Sequence, residues 1–218
     1  MAIKKTTEVL EIRPIEIQKV NLRIVGDTPL IMHAWSEKAK RMMLEAQMGL
    51  AKGKKKEPKN PVEDFIRSMY WLTDMPEEMT EEAFGEAISN GARFGFPVTA
   101  FKQAAISAAY RMGLAKDKVS LRGAFFIDSD ENGMIEIHSD APKMREDMVK
   151  VGMGTADIRY RGEFANWYAD MTISYNTNGN YSLENIMNII NAGGYICGVG
   201  EWRPEKDGQY GMFHVSNG

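Results

Sequence analysis

The chain has 218 residues, of which 44% are hydrophobic and 26% are charged, and this composition suits a folded domain with one core. A single cysteine excludes an internal disulfide framework and is typical of a reducing, cytoplasmic setting. The net charge of −3 excludes a uniformly basic surface, and without an 18-residue apolar run or a signal peptide we expect a cytoplasmic protein with no membrane partner.

Charge is unevenly distributed along the chain. Residues 38–67 contain nine Lys and Arg against four acids, whereas residues 74–86 contain six acids and no base. The basic segment includes a lysine-rich loop at 49–60. This pattern has two interpretations, a solvated surface loop or an electrostatic contact to phosphate.

The first half of the chain predicts one strand and then three helices. Apolar and polar residues alternate over residues 15–25, which is typical of a half-buried strand. Capping residues and Pro61 mark the starts of the helices. We place these helices at 36–50, 61–72 and 80–90.

The second half predicts two further helices and the remaining strands. Thr99 caps one helix, which ends near Met112, and Ser182 caps another, which ends at Gly193 or Gly194. Strands at 119–127 and 134–138 form a predicted hairpin. The last two strands are expected at 165–175 and 210–215.

The resulting order is βαββαβ, so the fold class is α+β with a ferredoxin-like, RRM-like sheet carrying two helices on one face. We expect a single domain over residues 1–218. It would carry a helical insertion at about 36–92 and a basic loop or hairpin at about 141–162.

The basic segment before the 165–175 strand is a candidate nucleic-acid contact. Basic residues interleaved with Tyr160 fit a loop or hairpin that binds nucleic acid, and an irregular surface loop is the other interpretation. The candidate binding residues are Lys143, Arg145, Lys150, Arg159 and Arg161.

The glycine-rich stretch at 193–204 is the second candidate site. Gly198 and Gly200 permit close approach of the backbone to a partner. Trp202 offers a stacking face and Arg203 a cation. The same residues also fit a tight turn before a final strand, with the tryptophan buried.

The sequence offers no catalytic or metal-binding constellation. His33, His138 and His214 are far apart and match no zinc spacing. The D-x-D-x-N-G turn at 128–133 resembles a calcium loop, but its twelfth position is Ser139. Cys197 is most simply a buried small residue. We therefore expect no cofactor, no metal and no enzymatic activity.

Three segments together resemble the RAMP superfamily, the RRM-derived proteins that build the backbones of multisubunit CRISPR effectors. They are residues 26–32, which include the Pro29-Leu30 turn, residues 96–105 at the start of a helix, and the closing glycine-rich stretch with residues 210–213. The tail at 198–204 is also similar to that of small proteins from bacteriophage genomes.

The resemblance implies a homo-oligomer that assembles along single-stranded RNA and holds it with basic residues and glycine-rich loops. By position, it adds His33, Trp35 and Lys102 to the candidate binding residues. It places residues 143–161 in the inserted hairpin, and it places Gly198, Gly200, Trp202 and Arg203 near the RNA.

Three hypotheses of function follow. The first is a non-enzymatic, phage-encoded protein that binds single-stranded nucleic acid, RNA more than DNA, and oligomerises along it. The second is a phage inhibitor or decoy that binds host CRISPR effector proteins. The third is an RNA endonuclease whose cleavage of RNA His33→Ala would abolish.

Overall fold

The computed structural model describes residues 13–35, 37–50, 58–151 and 155–216. Within these ranges the chain is an α+β fold of antiparallel sheets and six α-helices. The strands are β1 (Ile17–Gly26), β2 (Leu30–Met32), β3 (Phe94–Pro97), β4 (Phe125–Ile127), β5 (Met134–Ile137), β6 (Lys143–Val151), β7 (Thr155–Phe164), β8 (Tyr168–Asn176) and β9 (Phe213–Val215). The helices are α1 (Glu37–Gln47), α2 (Pro61–Arg67), α3 (Glu81–Ser89), α4 (Val98–Arg111), α5 (Val119–Arg122) and α6 (Leu183–Ile196).

The largest sheet has four strands in the order β4-β8-β1-β9, and every neighbouring pair is antiparallel. Strand β8 alternates as predicted, with Ala169, Met171, Ile173 and Tyr175 buried. These side chains share one core with buried residues of α4 and α6. The helices therefore cover one face of this sheet, and the alternate residues of β1 and β8 point away from the core.

Helix α6 runs through the two glycines that were predicted to end it. A Cβ atom on Gly193 would lie 2.6 Å from the backbone nitrogen of Ala105 in α4, and one on Gly194 would collide with the carbonyl oxygen of Phe213. The prediction of a helix end here is wrong because the glycines serve packing. They let α6 approach α4 and β9 closely.

The predicted hairpin over 119–138 is also wrong. Residues 119–122 form the short helix α5, β4 pairs with β8, and β5 pairs with β3. The turn at 128–133 therefore joins two different sheets. Asp130 shapes this turn, since its Oδ1 atom accepts hydrogen bonds from the backbone N–H groups of Asn132 and Met134.

The basic segment forms a long hairpin, β6–β7, and its contact with nucleic acid stays a prediction. Strand β2 extends it into a three-stranded sheet, and α2 packs against β7, where Ser68 Oγ accepts a hydrogen bond from the N–H of Gly162.

The helical insertion is present as α1, α2 and α3. Asn60 caps α2 and Pro61 is its first residue, while Thr80 caps α3. Residues 1–12 and residues 51–57 of the lysine-rich loop lie outside the described residues. No described helix is long and apolar enough to cross a membrane.

Candidate nucleic-acid interface

Arg161 lies at the centre of a buried polar cluster at the base of the β6–β7 hairpin. Its guanidinium donates to Nδ1 of His33 at 2.8 Å and to Asp147 at 3.1 Å, and it forms an ion pair with Glu201 at 3.3 Å. Arg161 and Asp147 are each only 5% exposed. The cluster thus joins the end of β2, both hairpin strands and the C-terminal loop.

Arg145 belongs to the same cluster. It donates to Asp147 and to Glu163 at 2.8 Å each, and its guanidinium lies 4.5 Å from the centre of the Tyr210 ring. Burial alone would lower the pKa of Arg145, but hydrogen bonds to Glu163, Asp147 and Tyr210 outweigh it and hold the pKa above its ordinary value.

The other hairpin cations differ in their surroundings. Arg159 pairs with Asp157 at 3.0 Å, and Asp157 also pairs with Lys59 from the end of the lysine-rich loop. Lys143 and Lys150 are exposed. Three of the five predicted hairpin cations are thus engaged by carboxylates of the same chain, which leaves them less able to bind a phosphate.

The hydrogen bond from Arg161 fixes the protonation state of His33. A guanidinium is always a donor, so Nδ1 must accept and the proton of the neutral ring lies on Nε2. Burial, and then the positive charge of Arg161, lower the pKa of His33 below its ordinary value. His33 is therefore neutral at pH 7.

The glycines of the C-terminal loop approach their own chain. A Cβ atom on Gly198 would lie 2.7 Å from Pro204, and one on Gly200 would lie 2.5 Å from the carbonyl oxygen of Ile31. Both have positive φ angles, 63° and 78°. These glycines let the loop pack tightly against β2. Their close contacts are with the chain itself, so their predicted contact with nucleic acid stays a prediction.

Trp202 and Arg203 follow these glycines. Trp202 is 37% exposed and has a φ of 52°, a left-handed conformation that costs a non-glycine residue about 1–3 kcal/mol. Arg203 donates to the carbonyl oxygen of Gly200 at 2.9 Å and pairs with Glu205. Arg203 therefore closes the loop on itself, while Trp202 presents part of its ring to solvent.

Lys102 lies apart from this cluster, at the edge of the four-stranded sheet. From α4 its Nζ atom lies 3.8 Å from the centre of the Phe126 ring of edge strand β4. Burial lowers the pKa of Lys102. Phe126 is 56% exposed on the sheet face opposite the helices.

The open face of the four-stranded sheet carries a set of polar and aromatic side chains. Arg23 lies 4.3 Å from the centre of the Tyr168 ring and binds both carboxylate oxygens of Asp170, and His138 stacks on Tyr168 at 4.7 Å. Phe126 and Lys19 lie on either side of Ser174, in one row across the sheet.

A groove of about 1150 Å³ begins at this open face and runs to Trp35. Its lining includes Trp35, which is 57% exposed, Tyr70 and Arg67, which pairs with Glu63, and also Asp170 and Thr172 of β8. Apart from the other hairpin cations and the C-terminal loop, the predicted residues lie in three places. His33, Arg145 and Arg161 meet in the buried cluster, Trp35 lies in the groove, and Lys102 lies at the sheet edge.

Sequence reasoning missed the residues that complete these places. Alternation along β8 gave the signal for its solvent-facing residues, but no pattern in the sequence pairs Arg23 with Tyr168 or Lys102 with Phe126. Asp147 carries no local signal either, because its partner Arg161 is contributed by the other hairpin strand.

Cys197 and His214 have different side-chain partners. Cys197 is buried and lies 3.8 Å from Arg111, while His214 contacts Asp27 at 2.7 Å. Among the described residues no three His, Cys, Asp or Glu side chains group in a way that could hold a metal ion. No known protein family and no curated protein matches the chain.

Proposed function

We infer that the four-stranded sheet with α4 and α6 is a ferredoxin-like, RRM-like unit. Reading only β1, α4, β4, β8, α6 and β9 along the chain gives βαββαβ. The strand order β4-β8-β1-β9, with antiparallel neighbours, is the order that a split βαβ arrangement of this kind requires. This is also the unit that the resemblance to RAMP proteins implies.

We propose that the protein binds single-stranded nucleic acid, RNA more than DNA, across the open face of this sheet. The observation that carries the proposal is the pairing of cations with aromatic rings on this face, Lys102 with the exposed Phe126 and Arg23 with the half-buried Tyr168. Bases stack on such rings and phosphates bind the neighbouring cations. The ion pairs Lys19–Asp128 and Arg23–Asp170 are exposed, so exchanging a carboxylate for a phosphate costs little.

The function we propose is non-enzymatic. An RNA endonuclease that relied on His33 would need it as a base or an acid. Nδ1 already accepts a hydrogen bond from Arg161 and Nε2 carries the proton, so neither nitrogen is free to act as a base. The lowered pKa of His33 also disfavours the imidazolium that would act as an acid. His33 thus acts as a structural acceptor for Arg161.

Fluorescence polarisation with a labelled 20-nucleotide single strand tests the proposal. We expect Phe126→Ala to weaken binding by roughly tenfold, since stacking on one ring contributes about 1–3 kcal/mol. Val119→Ala, which shortens an equally exposed side chain away from the sheet, is the matched control.

The salt dependence of the same measurement is a second readout. Three cations, Lys19, Arg23 and Lys102, predict a slope of about −2 in a plot of log affinity against log salt concentration. Binding that ignores salt, or that falls equally in the Phe126→Ala and Val119→Ala variants, would contradict a site on the sheet face.

A protein partner is the second candidate function, and helix α1 is the observation that favours it. Every side chain from Lys40 to Leu50 except Glu45 is exposed, including Met42 and Met43. Exposed apolar surface of this kind is typical of subunit contacts. We propose a second copy of the chain as the partner, and a host CRISPR effector protein as the alternative.

The mass of the purified protein in solution tests the contact through α1. An oligomer that Met42→Gln with Met43→Gln reduces to a monomer supports it. If the wild-type protein is monomeric, a second copy of the chain is ruled out as the partner, and a host CRISPR effector protein is the partner to test next.

A further inference from the structure

Strand β1 has two edges, and the backbone groups of alternate residues point to each edge. Glu16 points to the β8 edge, since its carbonyl oxygen accepts a hydrogen bond from the N–H of Thr177 at 2.8 Å. Arg23 points to the opposite edge, since its carbonyl oxygen accepts a hydrogen bond from the N–H of Ser216, just after β9. Because this direction alternates along extended chain, the odd-numbered residues of β1, and Ile15 before it, direct their N–H and C=O groups away from β8.

The edge opposite β8 is covered over only part of its length. Strand β9 pairs with residues 24–26 alone. Among the residues that the structure describes, none pairs with the outward backbone groups of Ile15, Ile17 and Lys19. The side chains of Ile15 and Ile17 are 76% and 60% exposed. An edge with free backbone groups and apolar side chains is a template for a further strand.

We propose that this free edge, residues 15–19, pairs with the same edge of a second copy of the chain. A strand that meets itself across a two-fold axis is antiparallel, as every neighbouring pair in this sheet is. With the axis at Ile17, the Ile17 side chains of the two copies lie opposite each other. Ile15 of each copy then faces the aliphatic stem of Lys19 of the other copy. The outward backbone groups of these three residues form about six hydrogen bonds between the copies.

The side chains of the edge favour a second copy in this register. An axis at Lys19 would place two lysines directly opposite each other, which is destabilising. With the axis at Ile17, the exposed isoleucines of both copies form one cluster, and the two lysines lie about 13 Å apart along the strands. Glu16 faces Gln18 of the other copy, so no residue from 15 to 19 lies opposite a like charge. The edge is therefore complementary to itself.

The contact is small and joins the two four-stranded sheets into one. Ile17 pairs with Asn176 on the open face, so the open faces of the two copies become one continuous surface. About six hydrogen bonds and four isoleucines make a smaller contact than a stable interface needs, so it holds two copies only transiently at micromolar concentration. It contains no residue of α1 and does not depend on nucleic acid.

Disulfide trapping of the full chain at high protein concentration, without nucleic acid, tests this pairing. In Ile17→Cys the two Cα atoms would lie about 5.5 Å apart, which suits a disulfide. Pairing raises the effective concentration of the two thiols, so mild oxidation should cross-link Ile17→Cys about tenfold faster than the controls, or more. The controls are Lys19→Cys, on the same face of the same strand, and Val119→Cys, a similarly exposed site on α5. Cys197 is buried and does not compete.

Two additions to the Ile17→Cys chain show which side chains make the contact. Ile15→Lys places a lysine opposite Lys19 of the other copy, so it should slow cross-linking to the rate of the controls. Met42→Gln with Met43→Gln should leave the rate unchanged, because α1 lies outside the contact. A loss of cross-linking in this second variant would assign the contact to α1 and overturn the pairing.

The remaining outcomes also decide. Equal rates for the three cysteine variants, or fastest cross-linking of Lys19→Cys, overturn the pairing through Ile17. If the thiol of Ile17→Cys reacts neither with another copy nor with a small maleimide, another segment of the chain covers the edge, and the second copy is overturned. Since no nucleic acid is present, each result is independent of the proposed binding of a single strand.

Discussion

Asp147 is the residue on which the buried cluster most depends, because one carboxylate neutralises both Arg145 and Arg161. We predict that Asp147→Asn lowers the free energy of unfolding by about 3 kcal/mol, since it removes the buried carboxylate that both guanidiniums share and leaves Arg161 only the more exposed Glu201. Asp157→Asn, in the same hairpin but more exposed, should cost about 1 kcal/mol or less. Urea unfolding of the two variants measures the difference, and equal costs would contradict the cluster's role.

His33 gives the molecule a pH dependence near neutrality. Its pKa is lowered in the folded chain, so below about pH 6.5 the unfolded chain takes up a proton that the folded chain resists. We predict that stability falls as the pH drops from 7.5 to 5.5. Gln offers Arg161 an acceptor that does not titrate, so His33→Gln should lose less stability over this range. Parallel melting-temperature curves for the two proteins would count against this account.

At the residue scale, the sequence indicates which side chains are important but not which other side chains they contact. The sequence predicts His33, Arg145 and Arg161 as three separate contacts to nucleic acid, and the structure brings them together around carboxylates. Such a cluster depends on strand register and on the path of a distant loop. Neither is encoded in the local sequence, so no sequence pattern identifies Asp147 and Glu201 as members of the cluster.

At the scale of elements, the contact between α4 and α6 gives the sharpest prediction. Ala is a better helix former than Gly by about 1 kcal/mol. Gly85→Ala in α3, where a Cβ atom meets nothing within 4 Å, should therefore stabilise the chain. Gly193→Ala should destabilise it by about 1–3 kcal/mol, because the new atom meets the backbone of α4. The melting temperatures of the two variants measure this difference. A Gly193→Ala variant more stable than the unchanged protein would show that α4 and α6 separate easily.

Elements with a strong period or a clear cap were predicted well. The alternation of β8, the start of α2 at Pro61 and the caps of α3 and α6 are confirmed. The predicted cap at Thr99 is wrong, because Thr99 lies inside α4 and Pro97 occupies the cap position. The hairpin predicted over 119–138 is wrong because its strands pair with distant segments, β4 with β8 and β5 with β3. A hairpin prediction assumes that neighbours in sequence pair, and here the turn at 128–133 passes between sheets.

At the scale of the whole molecule, acids within the hairpin balance part of the basic segment. Arg145, Arg159 and Arg161 are matched by such acids. We therefore propose the sheet face opposite the helices as the surface that binds a single strand. Trp35, predicted from the resemblance, joins this surface through the groove.

Ultraviolet cross-linking of the protein to a mixed-sequence single-stranded RNA, followed by mass spectrometry of the attached peptides, tests the central claim most directly. We expect cross-links at aromatic residues of the sheet face and groove, namely the exposed Phe126 and Trp35 and the half-buried Tyr168. Cross-links confined to the hairpin at 143–161 and to Trp202, or no cross-links at all, would contradict it.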